Sequence, residues 1–271
     1  VFKICIRVLQ FILKQYIILF AEFSEKKNKK GSDLMLELKD ITWSAPSGEQ
    51  ILKGVSFKVP DNRLVAVTGP NGGGKTTIAK LIAGIEKPLS GKIYLDGEDI
   101  TELNVTERAR KGISYAFQQP VRFKGLTVSD LIRLSSGEER SAESLCEVLR
   151  KVGLCAREYI DREVSSSLSG GEIKRIEIAT VLERPSKLAV FDEPEAGIDL
   201  WSFTSLISVF DELRKKKDKT LVIISHQERI LSVADEIVVI SGGEVKHSGD
   251  RDELLPLLLN DGVRSKVCPK M

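Results

Sequence analysis

The sequence predicts an α/β fold with a mainly parallel central sheet, and three observations carry that expectation. Short apolar runs recur at residues 64–68, 188–191 and 221–224, the last two without a polar residue, which reads as strands buried on both faces. Amphipathic helical patterns lie between them. A glycine-rich segment, Gly69-Pro70-Asn71-Gly72-Gly73-Gly74-Lys75-Thr76, joins the first of these strands to a helix at residues 77–83 that is ended by Gly84.

Taken in order, residues 1–23 are dense in Ile, Leu, Phe and Val but are interrupted by Lys3, Arg7, Lys14 and Glu22. No charge-free run approaches the roughly 20 residues of a membrane span, and no small-residue cleavage site marks a signal peptide. Lys3, Arg7, Gln10 and Lys14 form a narrow polar stripe on an otherwise apolar helix, followed by the solvated run SEKKNKKGSD. Three readings stand for residues 1–34: a helix lying on a membrane surface, a partner-binding helix, or upstream sequence ahead of a natural start at Met35.

From Met35 to Val59 the pattern has a period of two, with LELKDITW and ILKGVSFKV separated by the turn Pro46-Ser47-Gly48. A strand at 93–95 ends in the Asp96-Gly97 turn. A short helix at 104–111 stops at Gly112 and leads into a strand at 113–117. Helices are expected at 128–134 and 142–152, the latter placing Leu145, Val148, Leu149 and Val152 on one face. Between the last two buried strands a helix presents Phe203, Ile207, Phe210 and Leu213 inward. Gly242-Gly243 then signals a two-residue hairpin. No internal repeat is visible.

Composition excludes some classes. At 271 residues, 42% hydrophobic and 30% charged, the chain suits an ordinary soluble fold with ample core. A net charge of +2 gives no electrostatic case for nucleic acid as a partner. Cys5, Cys146, Cys155 and Cys268 are widely spaced, which favours free thiols over a disulfide framework or metal site. With only His226 and His247, no histidine-rich metal cluster can form.

Three segments carry chemistry. The glycine loop fits G-x-x-x-x-G-K-[ST], whose backbone N–H groups wrap a polyphosphate at a helix N-terminus. Lys75 then reaches the β- and γ-phosphates, and the Thr76 hydroxyl sits on Mg²⁺. The apolar run ending in Asp192-Glu193 delivers one acid to hold Mg²⁺ through water and a second to polarise the attacking water. Leu168-Ser169-Gly170-Gly171-Glu172 opens a helix as a second anion cradle. One chain has one γ-phosphate, already held by Lys75, so the second cradle implies a partner chain whose ATP it covers.

Together these residues resemble the ATP-binding cassette (ABC) ATPases over about residues 36–258. Gly69 to Thr77 is similar to the family's Walker A. Gln118 matches its Q-loop, and Asp192 and Glu193 match Walker B and the catalytic glutamate. Leu168 to Glu172 resembles the LSGGQ signature with Glu172 in place of Gln. Ala196-Gly197-Ile198-Asp199 resembles the D-loop, with Gly197 and Ile198 where Leu is usual before Asp. His226 matches the switch histidine that contacts the γ-phosphate. Trp43 falls where the family stacks an aromatic on adenine, and it equally fits a core position.

Finer runs resemble the Suf-type iron–sulfur assembly ATPases, the SufC family. Among them are GEDITEL at 97–103, ERARKGI at 107–113, AFQQPV at 116–121, HQERIL at 226–231 and VKHSGD at 245–250. The segment between Gln118 and Ser169 is short for that family, and Pro194 is usual in transport ATPases. The resemblance implies a P-loop NTPase: a RecA-like core, an antiparallel β-subdomain, and a helical subdomain at about 117–167 carrying the signature. It implies Mg²⁺-dependent ATP hydrolysis in a head-to-tail homodimer or pseudo-dimer of cassettes. It places Glu193, His226 and Gln118 in catalysis, and Thr76, Gln118 and Asp192 at the metal. Cytoplasmic placement with a soluble iron–sulfur scaffold as partner is the first expectation. The alternative is a cassette peripheral to the membrane, docked on transmembrane transporter subunits.

Overall fold

The computed structural model describes residues 34–264, apart from positions 139 and 166. Except for Leu34, the readings of residues 1–34 therefore lie outside the described residues. In chain order the first half comprises β1 (Leu34–Ser44), β2 (Gln50–Pro60), β3 (Leu64–Thr68), α1 (Lys75–Ala83), β4 (Ser90–Leu95), β5 (Glu98–Asp99), α2 (Val105–Arg110) and β6 (Ile113–Ala116). Helices α3 (Val128–Ser136), α4 (Ala142–Lys151), α5 (Ala156–Tyr159) and α6 (Gly170–Glu183) follow. The chain closes with β7 (Leu188–Asp192), α7 (Leu200–Lys216), β8 (Thr220–Ile224), α8 (Glu228–Val233), β9 (Glu236–Ser241), β10 (Glu244–Asp250) and α9 (Arg251–Arg264).

Two sheets result. The period-two strands β1 and β2 join β4 and β5 in an antiparallel sheet of order β2-β1-β4-β5. The apolar runs form a second sheet of order β10-β9-β3-β8-β7-β6, parallel from β9 to β6 with β10 antiparallel at its edge. The P-loop α/β fold expected from the sequence is thus the fold observed.

Strand alternation sorts the core into two layers. Leu64, Ala66, Phe191, Leu221 and Ile223 pack with α3, α4, α6 and α7 on one face. Val65, Val67, Val190, Val222 and Ile224 pack on the other with α1 and the antiparallel sheet. The apolar runs are explained by this double burial. Phe191 and Phe210 meet edge-on with centroids 5.1 Å apart, joining β7 to α7.

The helix-stop and turn expectations coincide with the structure closely. Gly84 ends α1 at φ 78, and Gly242 and Gly243 at φ 60 and 83 make the β9–β10 hairpin. On α7 the buried face is Phe203, Leu206, Val209 and Phe210, while Ile207 and Leu213 are only partly covered. The α7 face is therefore rotated from the expected one, because α7 packs against both the sheet and the neighbouring helices. Helix α9 runs through Leu258 to Arg264.

Buried Arg108 on α2 locks the end of α1. Its guanidinium donates to the carbonyls of Leu81, Ile82, Thr101 and Leu103, the first two lying in the last turn of α1. Burial lowers its pKa to about 10, so it remains charged at neutral pH.

Candidate active site

The glycine loop lies at the C-terminal end of β3, the edge at which open α/β sheets bind ligands. Gly74 takes the N-cap position of α1 at φ 98 with no side-chain cap, so the first-turn N–H groups stay free for an anion. A Cβ at Gly69, itself at φ 136, would collide with the Ile240 carbonyl of β9, so this loop packs as tightly as it does only with glycine. Lys75 is buried and its ammonium donates to the carbonyls of Gly69 at 2.8 Å and Pro70 at 2.9 Å. Burial lowers its pKa, and Glu193 and Asp192 oppose that shift.

The acids Asp192 and Glu193 reach the loop from the end of β7. Asp192 is fully buried. It accepts hydrogen bonds from the Thr76 hydroxyl at 3.2 Å and the Tyr115 hydroxyl at 3.1 Å. Desolvation raises its pKa, and these two donors partly counter it. Burial, with Asp192 second, pushes the Tyr115 phenol up as well. Glu193 adopts φ 46, a left-handed conformation that costs a non-glycine residue roughly 1–3 kcal/mol and clusters at functional sites. Its N–H donates to the Ile224 carbonyl at 3.0 Å, and its carboxylate accepts from the Gln118 amide at 2.7 Å.

The structure therefore assembles Lys75, Thr76, Gln118, Asp192 and Glu193 around one loop. The remaining residues of Gly69 to Thr77 complete that loop and the first turn of α1: Pro70, Asn71, Gly72, Gly73 and Thr77. His226 stands just past β8, half exposed, with Nδ1 3.9 Å from a Glu195 oxygen. Trp43 on β1 pairs across to Leu52 and packs half-buried against the core below the parallel sheet. Leu52 in turn closes on Gly74, so Trp43 is one strand removed from the loop.

The signature turn stands apart from this cluster. Ser169 and Gly170 are exposed at the start of α6, where Ser169 and Glu172 form a reciprocal capping box. Glu172 also accepts the Tyr159 hydroxyl at 2.5 Å, and these bonds hold its pKa down. A Cβ on Gly171 would come within 2.5 Å of the Gly197 carbonyl, so the turn packs directly on the loop before Asp199. Asp199 caps α7 by accepting the N–H groups of Trp201 and Ser202.

Several contributing residues have no local sequence signal. Tyr115, Lys174, Glu177, Glu195 and Ser225 enter through long-range contacts. Lys174, fully buried on α6, donates to the Phe117 carbonyl, and Glu177 accepts the Phe117 N–H at 3.0 Å. The buried ammonium of Lys174 is lowered and the Glu177 carboxyl raised, both by desolvation. Among the described residues no group of three or more His, Cys, Asp or Glu side chains is placed to hold a metal ion.

A strand-borne acid set against a phosphate loop at the head of a helix is the working end of a nucleotide hydrolase, and the protein is a P-loop ATPase. Its family is narrower than that: residues 52–196 match the ABC transporter family, and the chain belongs to it. An uncharacterized ABC transporter ATP-binding protein of Methanocaldococcus jannaschii is 42% identical over 231 residues, covering 82% of this chain and 92% of that protein. The energy-coupling factor transporter ATP-binding protein EcfA1 of Mesomycoplasma hyopneumoniae is 32% identical over 235 residues, covering 84% of each. A solved ATP-binding cassette, dimeric in a post-hydrolysis state with ADP and Pi, is similar at TM-score 0.71 and 25% identity. It covers 80% of this chain and 99% of that one. No helix among the described residues is long and apolar enough to cross a membrane.

Proposed function

We propose that the chain is the ATP-binding and ATP-hydrolysing subunit of a membrane transporter, working as a head-to-tail pair of cassettes beneath separate transmembrane subunits. The observation that carries the reaction is the 2.7 Å bond from Gln118 to Glu193, set beside the Thr76–Asp192 pair. The loop amides and Lys75 cradle the phosphates, Lys75 exchanging its bonds to loop carbonyls for phosphate oxygens. Glu193 takes a proton from the attacking water as general base. His226 contacts the γ-phosphate, and Trp43 supports the adenine ring.

The donor set of Thr76, Asp192 and Gln118 is all oxygen with one buried carboxylate, which fits Mg²⁺ completed by phosphate oxygens. Bound there, the ion would neutralise charge on the β- and γ-phosphates. Ser169, Gly170, Gly171 and Glu172 cover the ATP of the opposite chain, and the exposure of Ser169 and Gly170 in one chain supports that role. Loss of the γ-phosphate then releases the pair.

Transport is favoured by the descriptions of the two relatives, both of which name transporter ATP-binding proteins. Phe117, Val121 and Phe123, close to Gln118 in the chain, are each exposed, which suits a docking partner. A second reading, assembly of iron–sulfur clusters on a soluble scaffold, is favoured by the sequence runs at 97–103, 107–113 and 226–231. The Glu193→Gln protein, used as bait with ATP and Mg²⁺ in its host's lysate, separates the two. Polytopic partners from detergent-solubilised membranes support transport. A soluble scaffold recovered from the cytosolic fraction overturns it in favour of assembly.

A further inference from the structure

Glu195, two residues beyond Glu193, is more than nine-tenths buried, an unusual setting for a carboxylate. One of its oxygens accepts the Ser225 hydroxyl at 2.5 Å and lies 3.9 Å from His226 Nδ1. Ser225, fully buried, also accepts the Gln227 N–H at 3.0 Å, so its hydroxyl sits inside the turn that carries His226. The Glu195 backbone carbonyl accepts the Ile198 N–H at 3.1 Å and starts the turn that brings Gly197 against Gly171. A single residue thus ties the loop after β7 to the turn after β8.

The second carboxylate oxygen is buried and has no hydrogen-bond partner among the described residues. A buried acceptor left unpaired is costly, so the carboxylate is held in this place at the expense of stability. Burial raises the Glu195 pKa, while Ser225 and His226 pull it down. The charged or titratable groups around it are Glu193, His226 and Lys174, all belonging to segments already placed at the site.

We infer that Glu195 is a positioning residue for ATP hydrolysis: through Ser225 it fixes the turn that presents His226 to the γ-phosphate. The inference rests on the reading of His226 given above. Glu195 touches neither nucleotide nor water in this role; it sets where the imidazole stands.

The test is a double-mutant cycle on steady-state ATP turnover by the full chain with Mg²⁺. Glu195→Ala and Ser225→Ala are each expected to lower kcat on the order of tenfold with KM for ATP nearly unchanged, the size of one coupled contact. Glu195→Gln keeps an acceptor for Ser225 and is expected to recover most of the Glu195→Ala loss. In a His226→Ala background, Glu195→Ala should add almost nothing, because the group it positions is gone. A full, independent loss in that background overturns the inference and leaves His226 in its role. Normal turnover by His226→Ala removes the reading of His226 itself, and the inference with it. Ser225→Ala, which leaves the buried carboxylate in place, carries the test if Glu195→Ala does not fold.

Discussion

Glu177 accepts the backbone N–H of Phe117 at 3.0 Å, bridging a sequence separation of 60. Lys174, one turn earlier on α6, donates to the carbonyl of the same residue. The helix that begins with the signature turn therefore grips the peptide next to Gln118 from both sides. These bonds connect the helix that carries Ser169 to Glu172 with the residue preceding Gln118, whose amide bonds Glu193. The start of α6 and the Gln118–Glu193 contact are thus joined through one peptide.

Breaking that grip on one side should be severe. Lys174 also lies 3.4 Å from a Glu177 carboxylate oxygen, so Lys174→Ala leaves that buried carboxylate without its ionic partner, with an expected cost of roughly 3–5 kcal/mol. Lys174→Met with Glu177→Leu removes both charges and should fall well short of that cost, while still releasing Phe117 and slowing ATP turnover. Urea unfolding with an ATPase assay checks both. A Lys174→Ala protein as stable as the parent would show that the pair is not buried as described.

Glu193→Gln is expected to lower turnover by roughly 10²–10⁴-fold, the worth of a general base, while ATP binding is retained. Lys75→Ala should instead weaken ATP binding itself. Phosphate release and equilibrium nucleotide binding, measured side by side on both variants, distinguish the roles. Normal turnover by Glu193→Gln would end the general-base assignment.

Arg108 donates to four carbonyls while fully buried. Arg108→Met strands those acceptors and should destabilise the protein by roughly 2–4 kcal/mol. Arg108→Lys should not restore it, since one ammonium cannot reach acceptors on opposite sides of a planar fork. Denaturation midpoints of the two variants are the check, and a fully restored Lys variant would refute the geometry.

Glu172 gives a pH signature. Its carboxylate is held below the ordinary value of 4.5 by Tyr159 first and the Ser169 N–H next. A depressed folded pKa contributes stability that is present above the unfolded value and lost as pH falls through the folded one. Glu172→Gln, which lacks that titration, should therefore differ most from the parent at pH 7 and converge with it as pH falls below about 4.5. Urea midpoints from pH 7 to pH 3 measure this, and a pH-independent gap between the proteins would contradict it.

Much of the site was legible because its chemistry is local. Gly69 to Thr76 announces itself by glycine spacing, since backbone amides can approach phosphates only where side chains are missing. Asp192-Glu193 is visible as charge at the end of an apolar strand. By contrast, Glu195 reads in sequence as one more acid in an acidic turn. Only the folded chain brings it within 2.5 Å of the Ser225 hydroxyl, across a sequence separation of 30. Lys174 and Arg108 lie on helices and are fully buried, which their helical positions in the sequence do not indicate. The inner face of α7 is displaced from the expected stripe, with Leu206 and Val209 buried in place of Ile207 and Leu213: periodicity gives a stripe, and neighbouring elements choose where it centres.

The sequence by itself determined the class of fold, the phosphate loop, the acidic strand end and the helix stops. Each depends on the conformational limits or hydrophobic period of a few adjacent residues. Tertiary structure alone decided the strand order β10-β9-β3-β8-β7-β6, which puts β3 and its loop one strand away from β7 and its acids. It also decided which charges are buried: Arg108, Lys174 and Asp192 are enclosed by segments distant in sequence, and no local pattern encodes the cost or the partners of that burial.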